Sequence, residues 1–276
     1  MRLSIVTINY NNAEGLERTL NSVLNQSYEE IEHIIVDGRS TDNSVDIIKE
    51  YVRKVEGMNG LRVEWKSEPD KGIYNAMNKG IRKATGDYCQ FLNSGDYLAA
   101  PDVTERMIAA LTDDVDVLYG NMKKVMPNGK MLPDTSGATN DVTLNMFYRG
   151  SLNHSPAYIK RSLFDEYGLY DETLKICSDW KFYMQSIVLG KAKVKYVDID
   201  VTIFDMTGIS ETRKDLLNEE RNRLLREMVP EGILKDYDRY HFPMEQYDRL
   251  KRHHLWGLVW FIERILFKIE KWHILQ

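Results

Sequence analysis

The chain has 276 residues, 43% of them hydrophobic and 29% charged, enough apolar material for one large α/β domain or two small ones and too much for a mainly disordered chain. Lys and Arg number 37 against 42 Asp and Glu, a net charge of −5 that argues against general nucleic-acid binding, because a phosphate backbone would repel it. Cys89 and Cys177 make no disulfide framework and favour a reducing compartment. The apolar run near the start is short and interrupted by polar residues, and no stretch of 18 apolar residues occurs, so the expectation is a cytoplasmic protein, or one peripheral to a membrane.

Leu3 to Asn9 reads as a strand, and Leu16, Leu20, Val23 and Leu24 then recur at helical spacing. The unit repeats: Ile31 to Val36 is a strand ending at Asp37-Gly38, and Val45, Ile48, Tyr51 and Val52 mark a helix. A third round gives Leu61 to Trp65 as strand, a helix face of Ile73, Ala76, Met77, Gly80, Ile81 and Ala84, and Asp87 to Leu92 as strand. This alternation predicts right-handed βαβ crossovers and an α/β fold with a mostly parallel central sheet flanked by helices.

Further on, Pro101 is expected to open a helix, Val115 to Tyr119 a strand, and Pro127-Asn128-Gly129 a hairpin turn. Residues 120 to 210 mix short strands and loops with a helix near Trp180 to Leu189, and no linker interrupts them, which predicts one continuous domain over 1–210. Residues 211–276 differ in kind and form a C-terminal helical extension. Within it, 246–276 carries a local charge of +3, three tryptophans (Trp256, Trp260, Trp272) and an aliphatic helical face of Leu255, Leu258, Val259, Ile262, Ile265, Leu266 and Ile269, with Arg264, Lys268 and Lys271 opposite. That composition suits a helix lying in a membrane interface; packing on its own domain, or on a second copy in a homodimer, is the alternative.

In open α/β sheets ligands bind beyond the carboxyl ends of the strands. Those positions are polar here: Thr7, Asn9, Tyr10, Asn11 and Asn12, then Asp37 and Ser40, then Asp70 and Lys71, then Asn93, Ser94 and Asp96. No Gly-x-Gly-x-x-Gly follows the first strand, which argues against an ordinary dinucleotide-dependent oxidoreductase.

Four segments in order, Thr7-Ile8-Asn9-Tyr10-Asn11-Asn12, Asp37-Gly38-Arg39-Ser40-Thr41-Asp42, Glu68 to Gly80, and Phe91-Leu92-Asn93-Ser94-Gly95-Asp96, resemble the family 2 glycosyltransferases with the GT-A fold. The third is similar to bacterial exopolysaccharide and colanic-acid-type transferases. The resemblance covers roughly residues 1–210 and implies a nucleotide-sugar-binding half over 1–120 and an acceptor half over 121–210. It implies an inverting transferase that moves a sugar from a nucleotide-diphosphate donor to a hydroxyl of a saccharide or lipid-linked acceptor in bacterial surface polysaccharide synthesis, on the cytoplasmic face of the membrane. Asp37 takes the place of the base-contacting aspartate, and Thr7, Asn9, Asp70, Lys71, Asn93, Asp96 and His154 are the other expected donor-site residues. Asp96 is the expected ligand of a divalent cation, Mn²⁺ or Mg²⁺, although Asn93 and Gly95 stand where the family more often has its Asp-x-Asp carboxylates. Asp179, in the segment Tyr170 to Trp180, is the expected catalytic base, with a helix cap as its structural alternative.

Two other readings compete. A sugar-phosphate nucleotidyltransferase needs a glycine-rich basic loop after the first strand, and Asn9-Tyr10-Asn11-Asn12 lacks it. A non-catalytic nucleotide-sugar-binding scaffold is motivated by the altered Asp-x-Asp segment.

Overall fold

The computed structural model describes residues 1–274 except 59, 127, 135, 136, 207–211 and 254, and describes only the backbone at 241, 244, 245, 247, 248, 256 and 268–274. The expected turn residue Pro127, the domain boundary at 210/211, and the side chains of Trp256, Lys268, Ile269, Lys271 and Trp272 lie outside the described residues. The chain divides into two compact units, Met1–Arg221 and Asn222–Gln276.

The first unit is built on β1 (Leu3–Asn9), α1 (Ala13–Leu24), β2 (Ile31–Asp37), α2 (Ser44–Val55), β3 (Leu61–Ser67), α3 (Ile73–Lys83) and β4 (Tyr88–Phe91). β3, β2, β1 and β4 lie side by side and parallel, with Asn9 paired to Asp37 and Asp37 to Ser67 at their carboxyl ends. Every residue of β1 and β2 is buried, as expected of parallel strands covered on both faces. One face packs on α1 and α2 through Leu16, Leu20, Ile35, Ile48 and Tyr51.

The sheet continues with β8 (Ala157–Lys160), antiparallel to β4, then β6 (Val117–Val125) and β9 (Val194–Asp205), with β5 (Tyr97–Leu98) at the far edge and β7 (Met131–Asp134) as a hairpin partner of β6. β6 and β9 are parallel, with a register shift at Gly120, where a Cβ would meet the Ile199 carbonyl oxygen at 2.5 Å. Past that bulge β9 runs on to Asp205, at the carboxyl ends of the parallel strands. α4 begins at Val103, not at Pro101, whose carbonyl instead accepts the Ser27 N–H at 2.8 Å.

α5 (Leu144–Arg149), α6 (Ser162–Tyr167) and α7 (Ser178–Tyr183) complete the second half of the sheet's cover, α7 running into a π-helical turn at Met184–Val188. α8 (Lys214–Met228) follows. In the second unit α9 (Glu231–Arg252) and α10 (Trp256–Ile274) are separate helices, so residues 246–252 belong to α9 and the apolar run is confined to α10. Along α10, Leu258, Ile262, Ile265 and Leu266 of the aliphatic face are exposed, and so are Trp260, Phe261 and Phe267. No described helix is long and apolar enough to cross a membrane.

Candidate active site

Two cavities open at the carboxyl ends of the parallel strands and meet at Asn93, Asp96, Ile73 and Phe204, which line both. The larger, about 920 Å³, is walled by Asn9, Tyr10 and Asn12 after β1, Gly38 and Arg39 after β2, Pro69 to Gly72 after β3, and Asp205 at the end of β9.

Asp37 lies beneath this cavity, fully buried. Its carboxylate accepts Ser40 Oγ at 2.6 Å, Ser67 Oγ at 2.6 Å, Asn9 Nδ2 at 2.8 Å and the Ser40 N–H at 3.0 Å. Burial alone would raise its pKa; these donors outweigh burial and hold it below the ordinary 3.8. Asp37 therefore ties the ends of three strands together. Asn9 reaches the cavity wall beside it. Thr7 does neither: it is fully buried and its hydroxyl bonds His33 Nε2 at 2.9 Å, in the interior below the site. Burial pushes His33 down to about 3, so that ring is neutral.

Asp70 and Lys71 both line the larger cavity. Asp70 is held by Lys79 at 2.5 Å, which also reaches Glu68 at 3.1 Å. The Lys71 backbone N–H donates to Asn75 Oδ1, at the start of α3, at 3.2 Å.

Where the cavities meet, Asp96 is 5% exposed and accepts the Asp205 N–H at 3.1 Å. Burial, with the charge of Asp205 adding to it, pushes the Asp96 carboxyl up to about 8. Asn93 Oδ1 is buried without a hydrogen-bond partner. Two carboxylates and an orphaned amide oxygen are hard oxygen donors of the kind Mg²⁺ and Mn²⁺ take, with substrate phosphate completing the shell. Among the described residues no three His, Cys, Asp or Glu side chains converge, so the protein's own donors form an incomplete shell. Asp205 was not among the sequence-derived residues; it ends β9, whose interspersed charged residues and mostly half-buried side chains give no apolar run to mark a strand end.

The smaller cavity, about 320 Å³, is lined by Tyr74, Met77, His154, Asp179 and Trp180, and by Lys175, Lys214 and Arg221. Asp179 stands in the first turn of α7 and accepts the Tyr74 hydroxyl at 2.9 Å. That hydroxyl also reaches the Ile176 carbonyl, which fixes the carboxylate relative to α3. The side chain of the N-cap residue, Cys177, makes no capping hydrogen bond, and the Glu220 carboxylate accepts the Cys177 N–H at 3.0 Å. His154 stacks on Phe91 at 4.8 Å and bonds the Tyr170 hydroxyl through Nε2 at 2.8 Å. Burial lowers its pKa, with the charge of Asp179 working the other way.

The sequence-derived residues thus fall into three places: Asn9, Asp70, Lys71, Asn93 and Asp96 on the larger cavity, Asp179 and His154 on the smaller, and Asp37 and Thr7 beneath. Cys89 and Cys177 are free and buried.

An uncharacterized glycosyltransferase of Mycobacterium tuberculosis (strain H37Rv) is 32% identical over 219 residues, covering 77% of this chain and 78% of the relative. A PGL/p-HBAD biosynthesis glycosyltransferase of Mycobacterium bovis (strain BCG / Pasteur 1173P2) is 27% identical over 215 residues, covering 77% and 80%. Among solved structures, S. aureus TarS 1–349 in complex with UDP superposes with a TM-score of 0.65 at 23% identity, covering 91% of this chain and 74% of that one. The same fragment with UDP-GlcNAc gives 0.61 at 23% identity, this chain spanning 58% of its length. The mannosyltransferase PcManGT from Pyrobaculum calidifontis in complex with GDP-Man and Mn²⁺ gives 0.59 at 18% identity, covering 74% of this chain and 56% of that one. These structures share the fold, a GT-A-type α/β sheet with flanking helices. The model of the glycosyl transferase family 2 matches residues 4–174, so this chain belongs to glycosyl transferase family 2 and is a glycosyltransferase.

Proposed function

We propose that this transferase inverts the anomeric centre, with Asp179 as base, and that it glycosylates a hydroxyl of a saccharide or lipid-linked acceptor in bacterial surface polysaccharide synthesis. The observation that carries this reading is the meeting of two cavities at Asp96 and Asn93, with the Asp179 carboxylate held by Tyr74 in the smaller one. The nucleoside diphosphate fits the larger cavity, its base end toward Asn9, Gly38 and Asp70 over the Asp37 network and its diphosphate toward Asp96. The acceptor hydroxyl enters from the smaller cavity.

Asp179 takes the proton of that hydroxyl as its oxygen bonds the anomeric carbon and the bond from that carbon to the phosphate oxygen breaks. The diphosphate leaves with the electron pair, on the face opposite the incoming oxygen. Tyr74 orients the base, and His154, Trp180 and Met77 wall it from water. Asp96, Asp205 and Asn93 Oδ1 would hold a divalent cation, whose chemistry is to neutralise charge growing on the leaving diphosphate. Residues 1–120 supply the donor half, 121–210 the acceptor half, and 211–276 an extension that places the enzyme on the inner face of the membrane through α10.

Donor hydrolysis and transfer, followed by NMR with UDP- and GDP-sugars and Mn²⁺, test the reading. The product is expected with the opposite anomeric configuration to the donor. Asp179→Asn is expected to keep donor affinity and lose transfer by at least about a hundred-fold, since the amide keeps the shape and loses the basic oxygen. Nucleotide binding with no sugar released in either reaction would leave the scaffold reading instead.

A further inference from the structure

The acceptor-side cavity carries positive charge that the transfer reaction as described does not use. Lys214, Leu217 and Arg221, spaced three and four residues apart on α8, all line it, and Lys175 faces them from the loop before α7. Glu220, 6% exposed, fixes this arrangement by accepting three successive backbone N–H groups, Lys175 at 2.7 Å, Ile176 at 2.9 Å and Cys177 at 3.0 Å. A buried carboxylate is thereby satisfied by backbone and leaves the neighbouring guanidinium without it. Among the described residues Arg221 Nε is buried with no hydrogen-bond partner, and Nη1 reaches the Arg149 carbonyl at 3.5 Å.

Lys124, which also lines the cavity, is neutralised by Asp134 at 2.8 Å. Lys175 and Arg221 have no carboxylate at ion-pair distance among the described residues. A buried N–H without an acceptor costs about 1–3 kcal/mol unless a ligand supplies one.

Resting on the reading of this cavity as the acceptor side, we infer that the acceptor is anionic: a phosphate or carboxylate close to the accepting hydroxyl sits between Arg221 and Lys175. Arg221 Nε supplies a charge-assisted hydrogen bond and Lys175 a mobile point charge. The two cations offset the repulsion such a group meets from Asp179 and from the donor diphosphate. The group can belong to a lipid diphosphate that carries the saccharide or to an acidic sugar.

The test uses the full chain with Mn²⁺ and its donor cavity saturated with UDP or GDP, whichever binds. Two pairs, each an anion and its neutral counterpart, are titrated by NMR: octyl glucosyl diphosphate against octyl glucoside, and methyl glucuronide against methyl glucoside. The anionic member of at least one pair is expected to bind about ten-fold or more tighter than its neutral partner. A gap in the first pair alone assigns a lipid diphosphate, and in the second alone an acidic sugar. Arg221→Gln and Lys175→Gln are each expected to shrink the gap while nucleotide affinity holds. Lys175 is exposed and bound only through its backbone, so Lys175→Gln keeps the test alive should Arg221→Gln fold poorly. Equal binding within both pairs, or a gap that survives both substitutions, overturns the inference. Failure of both UDP and GDP to bind the parent chain would instead overturn the donor-site reading beneath it.

Discussion

Arg39 holds its backbone at φ 62°, a left-handed conformation that costs an L-residue about 1–2 kcal/mol. Asn11, at φ 50°, is compensated locally, its Oδ1 accepting the Thr41 N–H at 2.7 Å. Arg39 has no such return among the described residues; its side chain is exposed on the wall of the larger cavity. An exposed guanidinium on that wall is placed to meet an anionic donor, which a substitution tests. Arg39→Gly is expected to leave the melting temperature level or slightly raised, because relieved strain offsets the extra freedom of the unfolded glycine chain. Nucleoside diphosphate affinity is expected to fall about five- to ten-fold, as suits one lost charged contact. Calorimetry and titration on the same sample check both; an unchanged affinity would make Arg39 a surface residue.

Asp37 acts in the opposite sense, as a stabiliser beneath the site. Its folded pKa is depressed, so the stabilisation it gives is present above the unfolded value of about 3.8 and is lost as pH falls through the folded value. Melting curves of the parent and Asp37→Asn are expected to differ widely at pH 6 and to converge as the pH drops below 4. At neutral pH the substitution removes a charged acceptor of four donors and is expected to cost on the order of 3 kcal/mol in denaturant unfolding.

At the scale of elements, α3 is the piece that joins the two cavities, since Ile73 lines both and Tyr74 reaches Asp179. It lies so close on β1 that a Cβ at Gly80 would meet Val6 Cγ1 at 2.3 Å. Glycine inside a helix is normally about 1 kcal/mol worse than alanine, so Gly80→Ala would ordinarily stabilise. Here the sign reverses: the methyl has no room, α3 must lift from β1, and a loss of about 1–3 kcal/mol is expected, with transfer impaired through Tyr74. Urea unfolding that showed a more stable Gly80→Ala would contradict this packing.

The elements that were legible in the sequence are those whose own residues carry the pattern. β1 and β2 read as continuous apolar runs because both faces are covered, and the face of α3 repeated at helical spacing. The strands β5, β7 and β9 were not legible, because two and four residues are too few to show a period and β9 is largely half-buried. The same limits govern the site. Asn9, Asp70, Asn93 and Asp96 follow readable strands and do line the cavities, whereas Asp205 ends a strand that the sequence did not reveal. Arg221 was hidden differently: on a helix with four charged residues among Glu219 to Arg223, a cation reads as solvated surface, and only folding shows which one is turned inward.

For the whole molecule, α10 is the part whose surface does not suit water. Leu258, Phe261, Ile262, Ile265, Leu266 and Phe267 are between 43% and 61% exposed, while Arg264 lies over the Trp260 ring at 4.6 Å. A helix with so much exposed apolar surface requires cover, and cation–π pairing at a tryptophan suits the boundary between lipid headgroups and acyl chains. The basic residues flanking it in 246–276 add an attraction to anionic lipid of about 1 kcal/mol each near the surface, which salt screens. Docking there would bring a lipid-linked acceptor to the enzyme. The full-length chain is expected to float with anionic liposomes at low salt and to sink as salt rises. A chain ending at Arg252, which removes α10 and leaves α9 whole, is expected to keep nucleotide affinity and lose flotation. Flotation that is equal with and without α10 would place the lipid contact elsewhere. A full-length chain that stays in the aqueous layer as a dimer, and becomes monomeric on truncation, would make α10 the contact between two copies.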